Sequence, residues 1–272
     1  MSILAMVFLI ACGGPCDKEK TETQLAALAA AVRSADYRGD RDALDRLDGQ
    51  LAKLPSSALD DYRAYWRGFA RWRRAMNGFN ETPPPGDIEP DVRAAVAHFR
   101  SALAKRDNWI EARLALVGCY GNLIYLSGND AEKRQAILAE AIPLFKDVRS
   151  DTTDNPRVLW ILGGLQMAAP PPTGGDPVKA AAILRKGVES YWKEASAAES
   201  PAWAPAWGGA ENLMNLAYLY SHSAIADKKA ARAYAQGAVT AAPEWHYVRD
   251  VLLPQIEAMP ETAPAAPAAP SK

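Results

Sequence analysis

Apolar positions recur at three- and four-residue intervals in nearly every segment of the chain, the period of amphipathic helices. Leu25, Leu28 and Val32 form one stripe, and Leu44, Leu47, Leu51 and Leu54, closed by Pro55, form the next. Residues 36–40, which include Gly39, join them into a helical hairpin over 24–57. Tyr62, Tyr65, Phe69, Trp72 and Met76 make a third stripe. Ala95, Phe99 and Ala102 make a fourth, stopped by Asp107 and Asn108, and Ala112, Leu116, Cys119, Tyr120 and Leu123 make a fifth between Trp109 and Leu126. A helix over 131–149 holds Pro143, which removes a backbone hydrogen bond and predicts a kink or break there. Leu159, Leu162 and Gly163 precede Ala180, Leu184 and Gly187; Leu213, Leu216, Ala217 and Tyr220 precede Ala230, Tyr234 and Gly237, with Pro243 ending the unit. Residues 245–259 read as a terminal helix interrupted by Pro254. The pattern is that of an all-α protein.

Small residues at Ala95 and Ala102 let two antiparallel helices approach, while Phe99 fills the space one turn away. Carried into Ala112, Leu116 and Tyr120 after Asp107, this spacing resembles the tetratricopeptide repeat family, with two good units and a more degenerate third across residues 58–245. The resemblance implies a TPR-like α-solenoid of antiparallel helix pairs over 58–258, an architecture whose usual work is holding another protein. Two connections, 77–89 with Pro83, Pro84 and Pro85, and 168–176 with three prolines and two glycines, exceed the usual length of about 2–8 residues. Asp176 followed by Pro177 makes a good helix start, a capping side chain with proline at the first helical position. Asn155 and Pro156, the 168–176 loop, then Trp207, Gly208, Glu211 and Asn212 are similar to a group of bacterial envelope repeat proteins. That similarity, over 155–222, implies a fold and a compartment but no reaction.

The amino end carries a different signal. Residues 1–11 are almost wholly apolar, and Leu9, Ile10, Ala11 and Cys12 look like a bacterial lipobox, which implies a signal peptide cleaved before a lipid-bearing Cys12. Eleven residues are too few to span a bilayer as a helix, which needs about 20. No Lys or Arg precedes the apolar stretch, so either the start codon lies upstream or the signal is weak. Residues 12–23, charged from Asp17 onward, are expected to be a tether, and 259–272, mostly Ala and Pro, a disordered tail. Gly13 after Cys12 is compatible with outer-membrane sorting, by resemblance to enteric lipoproteins. The expected location is therefore the cell envelope, facing the periplasm.

Composition, 49% hydrophobic and 23% charged over 272 residues, is ordinary for a globular chain, and a net charge of −1 offers no basic excess for nucleic acid. With Cys12 lipidated, Cys16 and Cys119 are left either to pair in an oxidising periplasm or, for Cys119 on its apolar stripe, to act as a buried small hydrophobe. His98, His222 and His246 are scattered, with no partner at metal-binding spacing. Gly174 and Gly175 precede a helix start, but no Lys followed by Ser or Thr accompanies them, which argues against a nucleotide site. Ser221, His222 and Ser223 are adjacent in sequence, not arranged as a catalytic set. No catalytic group, cofactor site or metal site is assigned.

The richest surface candidate is the helix from Tyr62 to Met76, where Arg63, Arg67, Arg71 and Arg74 run beside the aromatic stripe and Trp66. Aromatic stripes usually belong to a core and arginine stripes to a solvated face, yet arginine flanked by aromatics is also what interface anchors favour. If the inner helices line a groove, these arginines with Trp66, and Trp203 and Trp207 at its far end, would meet an acidic or extended partner segment. The expected function is a non-catalytic, membrane-anchored adaptor or scaffold binding an unidentified protein. The alternative resembles the repeat-containing accessory lipoproteins of tripartite solute transporters, binding a solute-binding protein or enclosing a small ligand.

Overall fold

The computed structural model describes residues 15–56, 58–150, 154–197 and 200–261. The sequence-expected signal peptide, Cys12 and the tail beyond 261 lie outside these residues. Eleven α-helices and no strands are present among the described residues. They are α1 (Pro15–Tyr37), α2 (Arg41–Ala52), α3 (Asp60–Gly78), α4 (Ile88–Lys105), α5 (Ile110–Leu126), α6 (Ala131–Ser150), α7 (Pro156–Ala168), α8 (Pro177–Ser196), α9 (Gly209–His222), α10 (Lys228–Ala241) and α11 (Leu253–Ala258). Among the described residues, no helix is long and apolar enough to cross a membrane.

Helices adjacent in sequence pack in pairs: α1 with α2, α3 with α4, α5 with α6, α7 with α8, and α9 with α10. From α3 to α9, each odd-numbered helix also touches the next odd-numbered one. Small residues permit these approaches. A Cβ built on Gly163 of α7 would lie 2.5 Å from Leu184 Cδ2 of α8, and one on Gly118 of α5 would lie 2.5 Å from a ring carbon of Trp72 in α3. Ala95, Phe99 and Ala102 are all buried, as their spacing predicts. In α10 the buried face is Ala231, Ala235 and Ala238, one residue beyond the expected Ala230, Tyr234 and Gly237. Tyr234 nevertheless stacks on Tyr220 of α9, ring centroids 5.7 Å apart.

Several helix ends follow from local sequence. Gly39 takes φ 70° between α1 and α2, and Asp40 accepts a hydrogen bond from Ala43 N at 2.8 Å. Asn155 caps α7 through Arg157 N, and Asp176 caps α8 through Val178 N and Lys179 N, each with proline at the first helical position.

Three expectations are corrected. Residues 15–23 are not a tether but the first turns of α1. Helix α6 runs through Pro143 without a break; Pro143 and Ala139, whose carbonyl loses its partner, are both exposed, so water takes the freed group. Pro254 does not interrupt the terminal helix, because a π-helical turn at Tyr247–Leu252 precedes it and Pro254 falls in the first turn of α11, where no N–H is required.

The glycines give a paired test of this packing. Gly49→Ala, on the exposed face of α2 with nothing within 4 Å of the new Cβ, should raise stability by about 0.5–1 kcal/mol. Gly163→Ala, pressed against buried Leu184, should lower it by about 1–3 kcal/mol despite the same gain in helix propensity. Urea midpoints of the two variants would check both signs.

Candidate functional site

Helix α3 is the axis of the molecule. Tyr65, Trp66, Phe69 and Trp72 point inward and are almost fully buried. The segment before α9 folds back onto them. Trp66 Nε1 donates to the Trp203 carbonyl at 2.7 Å, and Trp207 Nε1 donates to the Tyr65 hydroxyl at 2.8 Å. The Trp207 ring lies 5.5 Å from Phe69, 6.2 Å from Trp72 and 5.5 Å from Trp160 of α7, a cluster of tilted and edge-on contacts. Trp203 is half-buried against the same cluster. The three tryptophans expected to line a groove therefore fill it.

The four arginines lie on the opposite flank of α3, where acidic residues of α2, of α3 itself, and of α4 and its N-cap pair with them. Arg63 Nη1 donates to the Leu54 carbonyl at 2.5 Å, and Arg63 Nη2 pairs with Asp60 at 3.0 Å. Arg67 and Arg71 share the buried Asp48 carboxylate at 2.6 and 2.7 Å, and Arg71 also reaches Asp45 and Asp91 at 2.7 and 3.2 Å. Arg74 pairs with Asp87 at 2.7 Å and with the buried Asp91. Burial raises the Asp48 carboxyl, but the two arginine hydrogen bonds outweigh it and hold its pKa below the usual value. The stripe expected to face an acidic partner is thus a ladder between α2, α3 and α4. Periodicity placed these arginines together; their partners, 13 or more residues away for all but Arg63, carried no local signal.

A second polar network closes the molecule, and sequence reasoning missed it. Buried Arg73 donates to buried Asp36 of α1 at 2.7 Å, and Asn77 Nδ2 donates to the same carboxylate at 3.1 Å. Burial raises the Asp36 carboxyl despite Arg73. Beside it, Tyr37 donates from its hydroxyl to Glu211 at 2.9 Å, and Gly208 N donates to the other Glu211 oxygen at 2.7 Å. Glu211 caps α9, and Gly208, at φ 112°, makes the turn into it. Ser34 donates to Glu244 at 2.9 Å, Arg38 pairs with Glu244 at 3.2 Å, and Tyr37 packs on Trp245 with ring centroids 5.0 Å apart. On α7, buried Arg157 donates to the Trp207 carbonyl at 3.1 Å and pairs with Glu194 and Glu111 at 2.9 and 3.3 Å. Asp36, Glu211 and Arg157 stand where charged residues are rarely buried; a charge on an apolar stripe was the available clue.

On α5, Gly118 is wedged between Trp72 and Ile161, whereas a Cβ on Gly121 would meet nothing within 4 Å. Asn122 Oδ1 accepts from Trp72 Nε1 at 2.9 Å, and Tyr125, 75% exposed, has its ring centroid 5.6 Å from that of Phe79. On α7, the built Cβ of Gly164 meets only Asn215 Nδ2 of α9, at 3.6 Å. Tyr218 and His222 continue the α9 face, stacked with ring centroids 4.2 Å apart.

The remaining sequence candidates are placed as follows. Ser221 Oγ does approach His222 Nδ1, at 2.7 Å, and the hydroxyl also lies 2.9 Å from the Tyr218 carbonyl, to which it donates. Burial and Arg67 lower the His98 pKa, and its Nε2 lies 3.9 Å from Asp48. Cys119 is unpaired and fully buried in α5. Among the described residues, no three His, Cys, Asp or Glu side chains are grouped to hold a metal ion. No family model matches the chain, and no curated protein and no solved structure matches it either.

Changing Arg67 and Arg71 together to Ala leaves Asp48 buried without its two arginine partners, and should cost about 2–4 kcal/mol of folding stability. The sign with pH follows from the depressed Asp48 pKa. Its stabilisation is present above the unfolded value of about 4 and is lost as pH falls through the folded value. Denaturant midpoints from pH 7 to 2 should show the double variant weakened at neutral pH, with the difference shrinking in acid.

Proposed function

We propose that this chain is a non-catalytic helical-repeat binding protein of the cell envelope, a tetratricopeptide-like α-solenoid curved until its two ends touch. The observation that carries the reading is the contact of α1 with the far end of the chain, through Tyr37 to Glu211 and Trp245 and through Arg38 to Glu244. An array joined in this way leaves little open groove for an extended peptide, because Trp203 and Trp207 already pack against α3. The occupant that suits it is a small ligand and not an extended segment. This favours the accessory lipoprotein of a solute-transport assembly, anchored through Cys12 and handing a ligand to or from a solute-binding protein.

The non-catalytic part of the reading rests on the interior titratable groups. Asp36, Arg73, Glu211 and Arg157, the interior charges described above, each serve a hydrogen bond that joins separate segments of the chain. An adaptor role retains support from a different surface: Trp192 and Val178 of α8 are 57% and 60% exposed, and large exposed apolar side chains are common at protein docking sites.

Native mass spectrometry of the protein purified from its own cells under mild conditions tests the reading. A single non-covalent small-molecule adduct on the intact chain is expected. Stoichiometric capture of a protein with no small adduct would replace it with the adaptor.

A further inference from the structure

Helix α8 packs on α7 and α9 through Ala180, Ala181, Leu184 and Gly187, and its opposite face is open. Of the five large apolar side chains exposed among the described residues, two, Val178 and Trp192, lie on that open face. They are 14 residues apart, a whole number of heptads, and so fall on one stripe. The stripe is Val178, Ala182, Arg185, Glu189, Trp192 and Ser196, all exposed and spaced four, three, four, three and four. That alternation is the seam of a helix that lies lengthwise on another helix.

The charges at the centre of the stripe are unspent. Arg185 and Glu189 stand at i and i+4, with the cation first, the weaker order for pairing within a helix. Among the described residues Glu189 has no ion-pair partner, and Arg185 reaches only the Tyr220 hydroxyl, at 3.4 Å. Three lysines flank the stripe. Lys179 lies 3.6 Å from Asp176 and Lys186 lies 2.9 Å from Asp154, while Lys193 follows Trp192 at the exposed end.

The order of residues along this stripe matches itself in reverse. When a second copy is laid antiparallel with the two-fold axis beside residue 187, Arg185 falls opposite the partner's Glu189, and Glu189 opposite the partner's Arg185. Trp192 then covers the partner's Ala182, and Val178 meets the partner's Ser196. Two pairs of opposite charge occupy the centre, and on each side a large ring meets a small side chain, which suits helix axes about 8–10 Å apart. A two-fold contact requires one patch to be complementary to itself in this way. An anionic lipid surface would attract the three lysines but would press Glu189 against like charge, so the second copy fits better.

We infer that α8 is a dimerisation helix, joining two copies of this chain antiparallel through reciprocal pairs of Arg185 with Glu189 and through Trp192. The inference goes beyond the small-ligand reading and does not rest on it. A contact of two helices is at the small end of specific interfaces, so sedimentation velocity of the purified full chain should show a reversible monomer–dimer equilibrium within about 1–100 µM.

Arg185→Glu and Glu189→Arg each set like charges opposite one another in both central layers, and each should weaken the dimer about tenfold or more. Both positions are exposed, so circular dichroism should be unchanged. Mixing the two variants should restore association, because every layer of the mixed dimer again pairs opposite charges; the chain carrying both substitutions should also dimerise. Trp192→Ala should weaken the dimer through lost packing, without dependence on salt. A chain that stays monomeric over this range overturns the inference, as does a dimer indifferent to these substitutions. Loss of the dimer in both charge variants with no recovery on mixing also overturns it. Binding of a monomeric chain to vesicles of phosphatidylglycerol and phosphatidylcholine, lost in Trp192→Ala, would give this face to the membrane instead.

Discussion

Trp207 is the residue on which the rest of the structure depends. Its indole N–H is taken by Tyr65, its carbonyl by Arg157, and its ring by Phe69, Trp72 and Trp160. One side chain thereby joins α3, α7 and the start of α9 across 142 residues of chain. Burying an aromatic of this size supplies a few kcal/mol, and the surrounding ring contacts add to it. Gly208 follows at once with a backbone conformation that side chains disfavour, turning the chain so that Glu211 can cap α9 and meet Tyr37. Closure of the two ends is therefore a consequence of how residues 203–211 are seated.

Charge works in the same direction. Charged side chains are removed from water at a cost that only close partners offset, and here the partners come from other helices. Asp48 and Asp91 hold α2 and α4 to the arginines of α3, while Asp36 holds α1 to Arg73. The flank of α3 that looks, as a linear pattern, like a cationic recognition surface is committed to architecture.

The helical class and many of the stripes were legible in the sequence because they depend on local periodicity: Ala95, Phe99 and Ala102, or Ala112, Leu116 and Tyr120, face inward for reasons contained within about 10 residues. Caps at Asn155 and Asp176, and the glycine turn at residue 39, are equally local. Pro143 and Pro254 were misjudged since the cost of a proline depends on what surrounds the freed carbonyl, and that is set by exposure or by a preceding π turn. The site was less legible. Trp66 and Trp207 belong to one packed core with Trp203 against it, a placement that no local pattern signals.

By itself, then, the sequence determined that this chain forms amphipathic helices in pairs and where most of them start and stop, since hydrophobic period, capping and turn chemistry act over a few residues. Tertiary structure alone decided which charges are neutralised, that Trp207 is buried in the interior, and that the first helix meets the end of the chain. Those outcomes come from contacts between residues tens to hundreds of positions apart, whose energies depend on burial and geometry that no local pattern encodes.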